Sequence, residues 1–345
     1  MARADGRWGG RDSRHLTGSL NFTETSMRSA APGILIAAGL IQYLGASIAV
    51  TLFAVAAVGA VAWGRVAVAA VFMMIWRRPK VDFRSELGRR RLGLTAIYGL
   101  ALVTMNLLFY QSIARIPLGT AVALEYLGPV LLAAVTGRGW RIWTGIVFAF
   151  GGVFAISWVG VDLAAPGVLA GVVLAIAAGG AWAVYMWVGS KVARAGLGAD
   201  SLALGIAIGA LAFVWLAIPG FAVIATSPKL LALMIAVGVF SSVVPYGLEV
   251  FVLSKIPAGT FALLGALYPA TSLLVGMIIL RQIPTLGELG GLVLITVAVM
   301  LVTWTPRLRR AAPGRAGRSG QGRKPGESRK PGQHGEPGQG RKPHR

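Results

Sequence analysis

Long uncharged segments constrain this chain more than any other feature of its sequence. Charged side chains are absent from residues 34–62, 142–161, 167–190, 201–228 and 230–248. An apolar helix of about 20 residues is long enough to cross the hydrocarbon core of a bilayer. In that core, the backbone must satisfy its own hydrogen bonds. The segments therefore predict a polytopic membrane protein rather than a large soluble core.

The composition agrees with this prediction, because 56% of the 345 residues are hydrophobic and only 13% are charged. Soluble domains have about 45–50% apolar and about 25% charged residues. We predict an all-α integral membrane fold with ten transmembrane helices. Their predicted spans are 33–53, 56–76, 93–114, 118–136, 142–160, 167–189, 202–224, 230–253, 258–280 and 286–304.

The basic residues of the loops predict the orientation of these helices. Loop 77–91 contains seven Lys and Arg residues, which favours the cytoplasmic side. With that loop inside, the inside loops hold twelve Lys and Arg residues in total and the outside loops hold three. Both chain termini then lie in the cytoplasm.

The net charge of +21 is concentrated in two tails, 1–31 and 306–345, which hold 17 of the 33 Lys and Arg residues. We interpret these tails as cytoplasmic segments close to anionic lipid rather than as a nucleic-acid interface. The C-terminal tail is rich in Pro, Gly and basic residues, a composition that predicts disorder. The chain has no Cys, and its three His residues all lie in the tails.

One phrase of the sequence occurs twice. RIPLGTAVALEYLGP (115–129) and KIPAGTFALLGALYP (255–269) share seven of their 15 positions. The first copy enters the fourth predicted helix and the second enters the ninth, so equivalent points are five helices apart and have opposite orientation. Inverted repeats are typical of secondary transporters. We predict two five-helix halves, 32–160 and 161–305.

Three charged residues lie inside predicted helices, where a charge costs about 2.5–3.5 kcal/mol. Glu125 is interpreted as a proton-titrating or amine-binding carboxylate, or else as a structural partner of Arg65 or a Tyr hydroxyl. Glu249 is a second candidate, although it is close enough to the inner interface to reach it. Arg65 either contacts substrate or serves as an ion-pair partner or interface anchor.

Polar and aromatic residues on several helices are predicted to line a cavity for a small zwitterion, or else to pack between helices and at the membrane interfaces. The candidates are Gln42, Tyr43, Asn106, Tyr110, Gln111, Trp182, Tyr185, Tyr246 and Tyr268. Pro and Gly residues are predicted as hinges or gates, and Pro245 is also expected to free backbone carbonyls. The hinge candidates are Pro117, Gly119, Pro129, Pro245, Pro257, Gly259 and Pro269. We predict no metal site and no cofactor.

Several motifs resemble the drug/metabolite transporter superfamily of the EamA type. They are GAS-x-A (45–49) with LF (52–53), Arg65 leading to RRP (77–79), MN-x-LFY-x-SI (105–113), IPLG-x-AVALE-x-x-GP (116–129), WA-x-Y (182–185), PY-x-LE (245–249) and P-x-x-TF (257–261). The pattern is most similar to the subgroup of bacterial inner-membrane threonine and homoserine exporters. The resemblance implies ten helices in two inverted halves and export of small metabolites without ATP.

The sequence departs from this family in one place. Relatives often have Glu directly before the Pro of the second copy, whereas this chain has Tyr268 before Pro269. A phenol thus replaces a carboxylate in the second half of the predicted cavity.

We therefore expect a proton-coupled amino-acid exporter that works by alternating access, as a monomer or a homodimer in the inner membrane. The main alternative is an exporter of drugs or other amphipathic metabolites. A membrane-embedded enzyme or a scaffold is the alternative of another class. The predicted membrane helices contain no His or Cys for enzymatic chemistry, and the sequence has no G-x-x-x-x-G-K-[ST] phosphate loop for ATP hydrolysis.

Overall fold

The structure is a computed structural model, and every element in its described part is helical, with no strand. It describes residues 12–79, 85–136, 138–156, 162–195, 197–253, 255–256, 261 and 264–303. The α-helices are α1 (Asp12–Leu52), α2 (Val58–Arg77), α3 (Glu86–Ile113), α4 (Leu118–Glu125), α5 (Leu127–Thr136), α6 (Trp140–Phe154), α7 (Val168–Arg194), α8 (Gly198–Ala212), α9 (Phe221–Thr226), α10 (Pro228–Gly238), α11 (Val244–Leu253), α12 (Tyr268–Ile279) and α13 (Leu286–Thr303).

Seven helical segments of the described chain are long and apolar enough to cross a membrane. They are Ala30–Leu52, Val58–Arg77, Glu86–Ile113, Leu118–Thr136, Val168–Arg194, Pro228–Glu249 and Leu286–Thr303. Three further apolar helices are shorter: Trp140–Phe154, Asp200–Ala212 and Tyr268–Ile279. The predicted all-α membrane fold is thus confirmed for the described residues.

The surface of α6 has the character expected of a helix in lipid. Trp140, Trp143 and Phe150 are 68%, 71% and 72% exposed, whereas Gly145 and Gly152 on the same helix are buried. Soluble proteins rarely expose such large apolar surfaces. In a bilayer, the acyl chains cover them.

Two helices begin earlier than the sequence predicted. The helix α1 begins at Asp12, although its apolar span begins only at Ala30. The helix α3 begins at Glu86 instead of residue 93, because the Ser85 hydroxyl caps it by accepting a hydrogen bond from the Gly88 N–H at 2.9 Å.

The fourth predicted span is broken in its middle. The helix α4 ends at Glu125, Tyr126 lies in a turn, and α5 begins at Leu127. Pro129 explains this break, because it has no N–H to donate to the carbonyl of Glu125 four residues earlier. A predicted single helix is therefore two short helices that meet beside a carboxylate.

The seventh and eighth predicted spans are also interrupted. A 3₁₀-helix (Val214–Ala217) separates α8 from α9. A π-helix (Val239–Val243) joins α10 to α11 and ends two residues before Pro245. Single π-turns inside helices are frequent at functional sites.

Glycines allow several helices to cross with their backbones in contact. A Cβ atom on Gly99 of α3 would overlap the backbone of Gly205 of α8, and one on Gly128 of α5 would lie 2.7 Å from the Gly179 carbonyl oxygen of α7. Small residues permit this close approach in membranes. The core formed in this way surrounds α4, whose eight residues are all buried.

Candidate functional site

Arg65 is the buried cation of the structure's interior. It lies on α2, is 3% exposed, and donates from Nη2 to the Ser241 carbonyl oxygen at 2.7 Å and from Nε to the Ser242 Oγ at 2.9 Å. Its guanidinium also lies 5.0 Å from the centre of the Tyr110 ring, a cation–π distance. Within the described structure, Nη1 makes no hydrogen bond.

The Ser241 carbonyl that accepts from Arg65 lies four residues before Pro245. In a regular α-helix the N–H of residue 245 would bond the carbonyl of Ser241, and proline has no N–H. The Ser241 carbonyl instead accepts from Arg65. A proline on one helix thereby creates the acceptor for a charge on another.

Glu125 ends α4 and is 8% exposed. Among the described residues, its carboxylate accepts no hydrogen bond and forms no contact ion pair. It interacts electrostatically with Arg65 across the interior. Within the described structure, Arg65 Nη1 and the Glu125 carboxylate therefore each retain unused hydrogen-bonding capacity.

The second predicted carboxylate has a defined partner. The hydroxyl of Tyr268 donates to Glu249 Oε1 at 2.6 Å, which joins α12 to α11. The phenol directly before the Pro of the second copy is thus bonded to a carboxylate from the neighbouring helix. Glu249 is half-buried, and this bond fixes the position of its carboxylate.

All seven tyrosines of the chain lie in or beside this polar interior. Tyr126 packs edge-on against Trp182 with ring centres 4.7 Å apart, and it stacks with Tyr268. The rings of Tyr98 and Tyr185 stack at 4.6 Å, and their hydroxyls are 2.8 Å apart. The others contact this set, Arg65 or Asn106: Tyr43, Tyr110 and Tyr246.

The amide of Asn106 donates to the Leu102 carbonyl at 2.8 Å, and Tyr246 lies close to it. Both residues line a small cavity with Ser242. Two other predicted lining residues lie apart from this network. Gln42 is half-buried without a side-chain hydrogen bond in the described structure, and Gln111 accepts from Arg115 at 2.9 Å.

The predicted hinge residues that the structure describes occur at helix starts or breaks. Pro117 precedes the first residue of α4, and Gly119 follows within the first turn. Pro129 and Pro269 occupy the first turns of α5 and α12, each just after a break, and Pro245 follows the π-helix. Pro257 and Gly259 lie outside the described residues.

Sequence reasoning missed several residues that the structure brings to this site. They are Tyr98, Tyr126, Ser241 and Ser242. A position next to Glu125 was the available signal for Tyr126. The serines had none, because two hydroxyls in an apolar helix are common and only the fold places them beside Arg65.

The interior thus contains a guanidinium, two carboxylates and several tyrosines, all on apolar helices. Such a site offers opposite charges to a small polar solute and aromatic faces to its apolar part.

The sequence is similar to a known family and to curated proteins. Residues 169–304 match the EamA-like transporter family. The chain is 36% identical over 279 residues to the threonine/homoserine exporter RhtA of Salmonella typhimurium (strain LT2) and 34% identical over 275 residues to that of Escherichia coli (strain K12). Each alignment covers 79% of this chain and 91% of the relative.

A solved crystal structure of a protein aligns with 79% of this chain and 97% of its own, at 17% identity and a TM-score of 0.48, which is too low to establish a shared fold. The two exporters, by contrast, align along nearly their whole length and at an identity that establishes kinship. The chain is a membrane transporter and belongs to the EamA-like transporter family.

Proposed function

We propose that this protein exports small amino acids across the bacterial plasma membrane as a secondary transporter. The observation that carries the proposal is the buried pair of Arg65 and Glu125, each with hydrogen-bonding capacity left unused. An amino acid has one carboxylate and one ammonium group. Arg65 would bind the first through Nη1, and Glu125 would bind the second.

The named function of the relatives narrows the substrate. Both are threonine/homoserine exporters and align with most of this chain. Threonine and homoserine are zwitterions with small side chains, which suits a site enclosed by tyrosines and Trp182. We therefore propose these two amino acids as the first substrates to test.

We propose ten transmembrane helices in two inverted halves, 32–160 and 161–305, with both tails in the cytoplasm. Seven long spans and three shorter apolar helices support this number. The two copies of the repeated phrase also break alike: one helix breaks at Tyr126, and the other breaks at Ala266 and Leu267. Residues 126 and 266 are equivalent in the repeat.

Helix packing supports the same symmetry. Inversion exchanges the contact of α3 with α8 for that of α10 with α2, and glycines mediate both: Gly99 meets Gly205, and Gly64 meets Met234. It likewise exchanges the contact of α5 with α7 for that of α12 with α1, where Gly39 lies against Tyr268.

Alternating access follows from two halves that gate opposite sides. The breaks before Pro129 and Pro269 interrupt the backbone ladder where bending costs least. We propose that the chain bends at these two breaks, between α4 and α5 and directly before α12. The central site would then open to one side of the membrane at a time. The predicted hinges at Pro257 and Gly259 remain part of this proposal.

We further propose that export is coupled to proton entry. Glu125 and Glu249 are carboxylates within membrane spans, where ionisable groups commonly form proton relays. If substrate ammonium and a proton compete for Glu125, release of one permits binding of the other. That competition is sufficient for exchange.

An exporter of amphipathic cations is the second candidate. The tyrosines of the polar interior favour this candidate, because aromatic faces bind organic cations. Gly265 also favours it, since the second copy of the repeated phrase has no carboxylate at the position of Glu125. Arg65 argues against it, because a buried guanidinium repels a cation.

Counterflow in proteoliposomes decides between the two candidates. The purified protein is loaded with unlabelled solute, and uptake of labelled threonine, homoserine, valine, lysine and an organic drug cation is measured at equal concentration. We expect counterflow with threonine and homoserine. Counterflow with the drug cation alone would overturn the amino-acid proposal in favour of the second candidate.

A further inference from the structure

Glu288 is a further buried carboxylate, on a different helix from Glu125 and Glu249. Glu288 is 6% exposed in the first turn of α13. Its Oε2 accepts from the Thr285 N–H at 2.9 Å, and the Glu288 N–H donates to the Thr285 hydroxyl at 3.2 Å. This reciprocal arrangement is a capping box. It accounts for one oxygen of the carboxylate and leaves the other for a different partner.

The other oxygen reaches across to α4. Glu288 Oε1 accepts from the Thr120 hydroxyl at 2.5 Å. Gln282, which precedes α13, makes a parallel contact: its Oε1 accepts from the Leu118 N–H at 3.0 Å. That N–H is one of the unpaired donors at a helix start, and Pro117, in the N-cap position of α4, provides no side-chain cap.

A small cavity lies beside these contacts, between the start of α4 and the residues that precede and begin α13. Its lining includes Pro117, Gly119, Gly276, Gln282 and Glu288. A Cβ atom on Gly276 would lie 3.1 Å from Gln282 Oε1 and one on Gly119 would lie 3.0 Å from Leu273, so the surfaces meet closely without interlocking side chains. Polar contacts of this kind can be exchanged for water at a small net cost, which suits a joint that opens.

We propose that Gln282 and Glu288 form a latch on the first turn of α4 and that this latch is the outer gate of the transport path. The inference rests on the proposed orientation and on alternating access. Both contacts grip residues 118–120, at one end of an eight-residue helix whose other end is Glu125. Gln282 and Glu288 act through α4 and are positioning residues.

The test uses the absence of cysteine from the chain. Ala121→Cys introduces a single thiol at a fully buried position one helical turn from Glu125, between the latch and the site. Thr120→Val removes only the hydroxyl that bonds Glu288 and leaves the capping box intact. Gln282→Leu removes the second contact. Modification by a membrane-impermeant maleimide is measured in right-side-out vesicles.

We expect each latch variant to raise the modification rate about fivefold, the effect of losing one hydrogen bond, and the double variant to raise it further. Thr136→Val is the matched control, because that hydroxyl bonds only the Leu132 carbonyl of its own helix. Its rate should equal that of the parent.

A second thiol separates gating from loosening of the fold. Val188→Cys lies three residues from Tyr185 on α7, towards the opposite end of the bundle, and is 3% exposed. In inside-out vesicles, its modification should slow in the latch variants, since a protein open outside is closed inside. Faster modification of both thiols indicates general loosening and overturns the latch, as do unchanged rates at Ala121→Cys.

The assay needs no substrate. A protein that fails amino-acid counterflow but passes this test has a latch and a different cargo. A protein that passes counterflow but fails here is an amino-acid exporter whose outer gate lies elsewhere.

Discussion

At the scale of the residue, the charged side chains of the central site could be predicted from the sequence, but the residues that surround them could not. Arg65, Glu125 and Glu249 were predicted because a charge inside an apolar helix is costly and therefore rare. The partners of Arg65 are Ser241, Ser242 and Tyr110, and the partner of Glu249 is Tyr268. Such side chains carry no signal until the fold places them beside a charge.

Removal of the charge on Glu125 is the most direct residue-level prediction. Glu125→Gln keeps the shape of the side chain but can neither attract an ammonium group nor titrate. We expect substrate flux driven by a pH gradient in proteoliposomes to fall about tenfold or more, as for loss of a charge-assisted bond of about 1.5–3 kcal/mol.

Glu86→Gln is the control for this variant, because that carboxylate is exposed and, among the described residues, pairs with Arg90 on its own helix. Its flux should match that of the parent. Unchanged pH-driven flux in Glu125→Gln would exclude an essential role of this carboxylate in coupling.

Glu288 shows where prediction from sequence stops at this scale. The pattern Thr285-x-x-Glu288 is recognisable as a capping box, which assigns the carboxylate to its own helix. Only the tertiary structure shows that its second oxygen bonds Thr120, 168 positions earlier in the chain. Sequence spacing contains no information about such a contact.

At the scale of the element, the positions of apolar helices were predictable and their interruptions were only partly so. Hydropathy detects a segment long enough to cross the bilayer, and Pro245 was a visible reason for a break. The turn at Tyr126 was not predicted, although Pro129 explains it, because proline near the middle of a membrane helix is often tolerated. The capped start of α3 lies in a charged segment, which a search for apolar spans does not include.

The crossing of α3 and α8 leads to a prediction about stability. Gly99→Ala places a methyl group against the backbone of Gly205. We expect the helices to separate, at a cost of about 1–3 kcal/mol, which is typical of overpacking. The apparent Tm of the detergent-solubilised protein should fall accordingly.

Gly93→Ala is the matched control on the same helix, since a Cβ atom there meets no atom within 4 Å. Alanine is the better helix former by about 1 kcal/mol, so this variant should be as stable as the parent or more stable. Equal Tm values for the two variants would contradict the close crossing.

At the scale of the whole molecule, the repeated phrase has a topological consequence. If the halves are inverted, equivalent positions face opposite sides of the membrane. Arg115 and Lys255 begin the two copies, and both are exposed.

We predict that Arg115→Cys reacts with an impermeant maleimide only from outside the cell and that Lys255→Cys reacts only in inside-out vesicles. Any labelling comes from the introduced cysteine, because the chain has no other thiol. Labelling of both variants from the same side would rule out the inverted repeat, whatever the substrate proves to be.

The shortness of α4 has a mechanical consequence. Leu118 and Glu125 are seven residues apart, so about 10 Å of rigid helix separates the latched end from the carboxylate. The break at Tyr126 is the point about which α4 would tilt if the proposed latch opened. If release of the latch tilts α4 by about 15°, its far end sweeps about 3 Å, one hydrogen-bond length. Glu125 lies next to this break, so its side chain would rotate while its position changed little. Opening of the latch would therefore turn the carboxylate towards or away from Arg65.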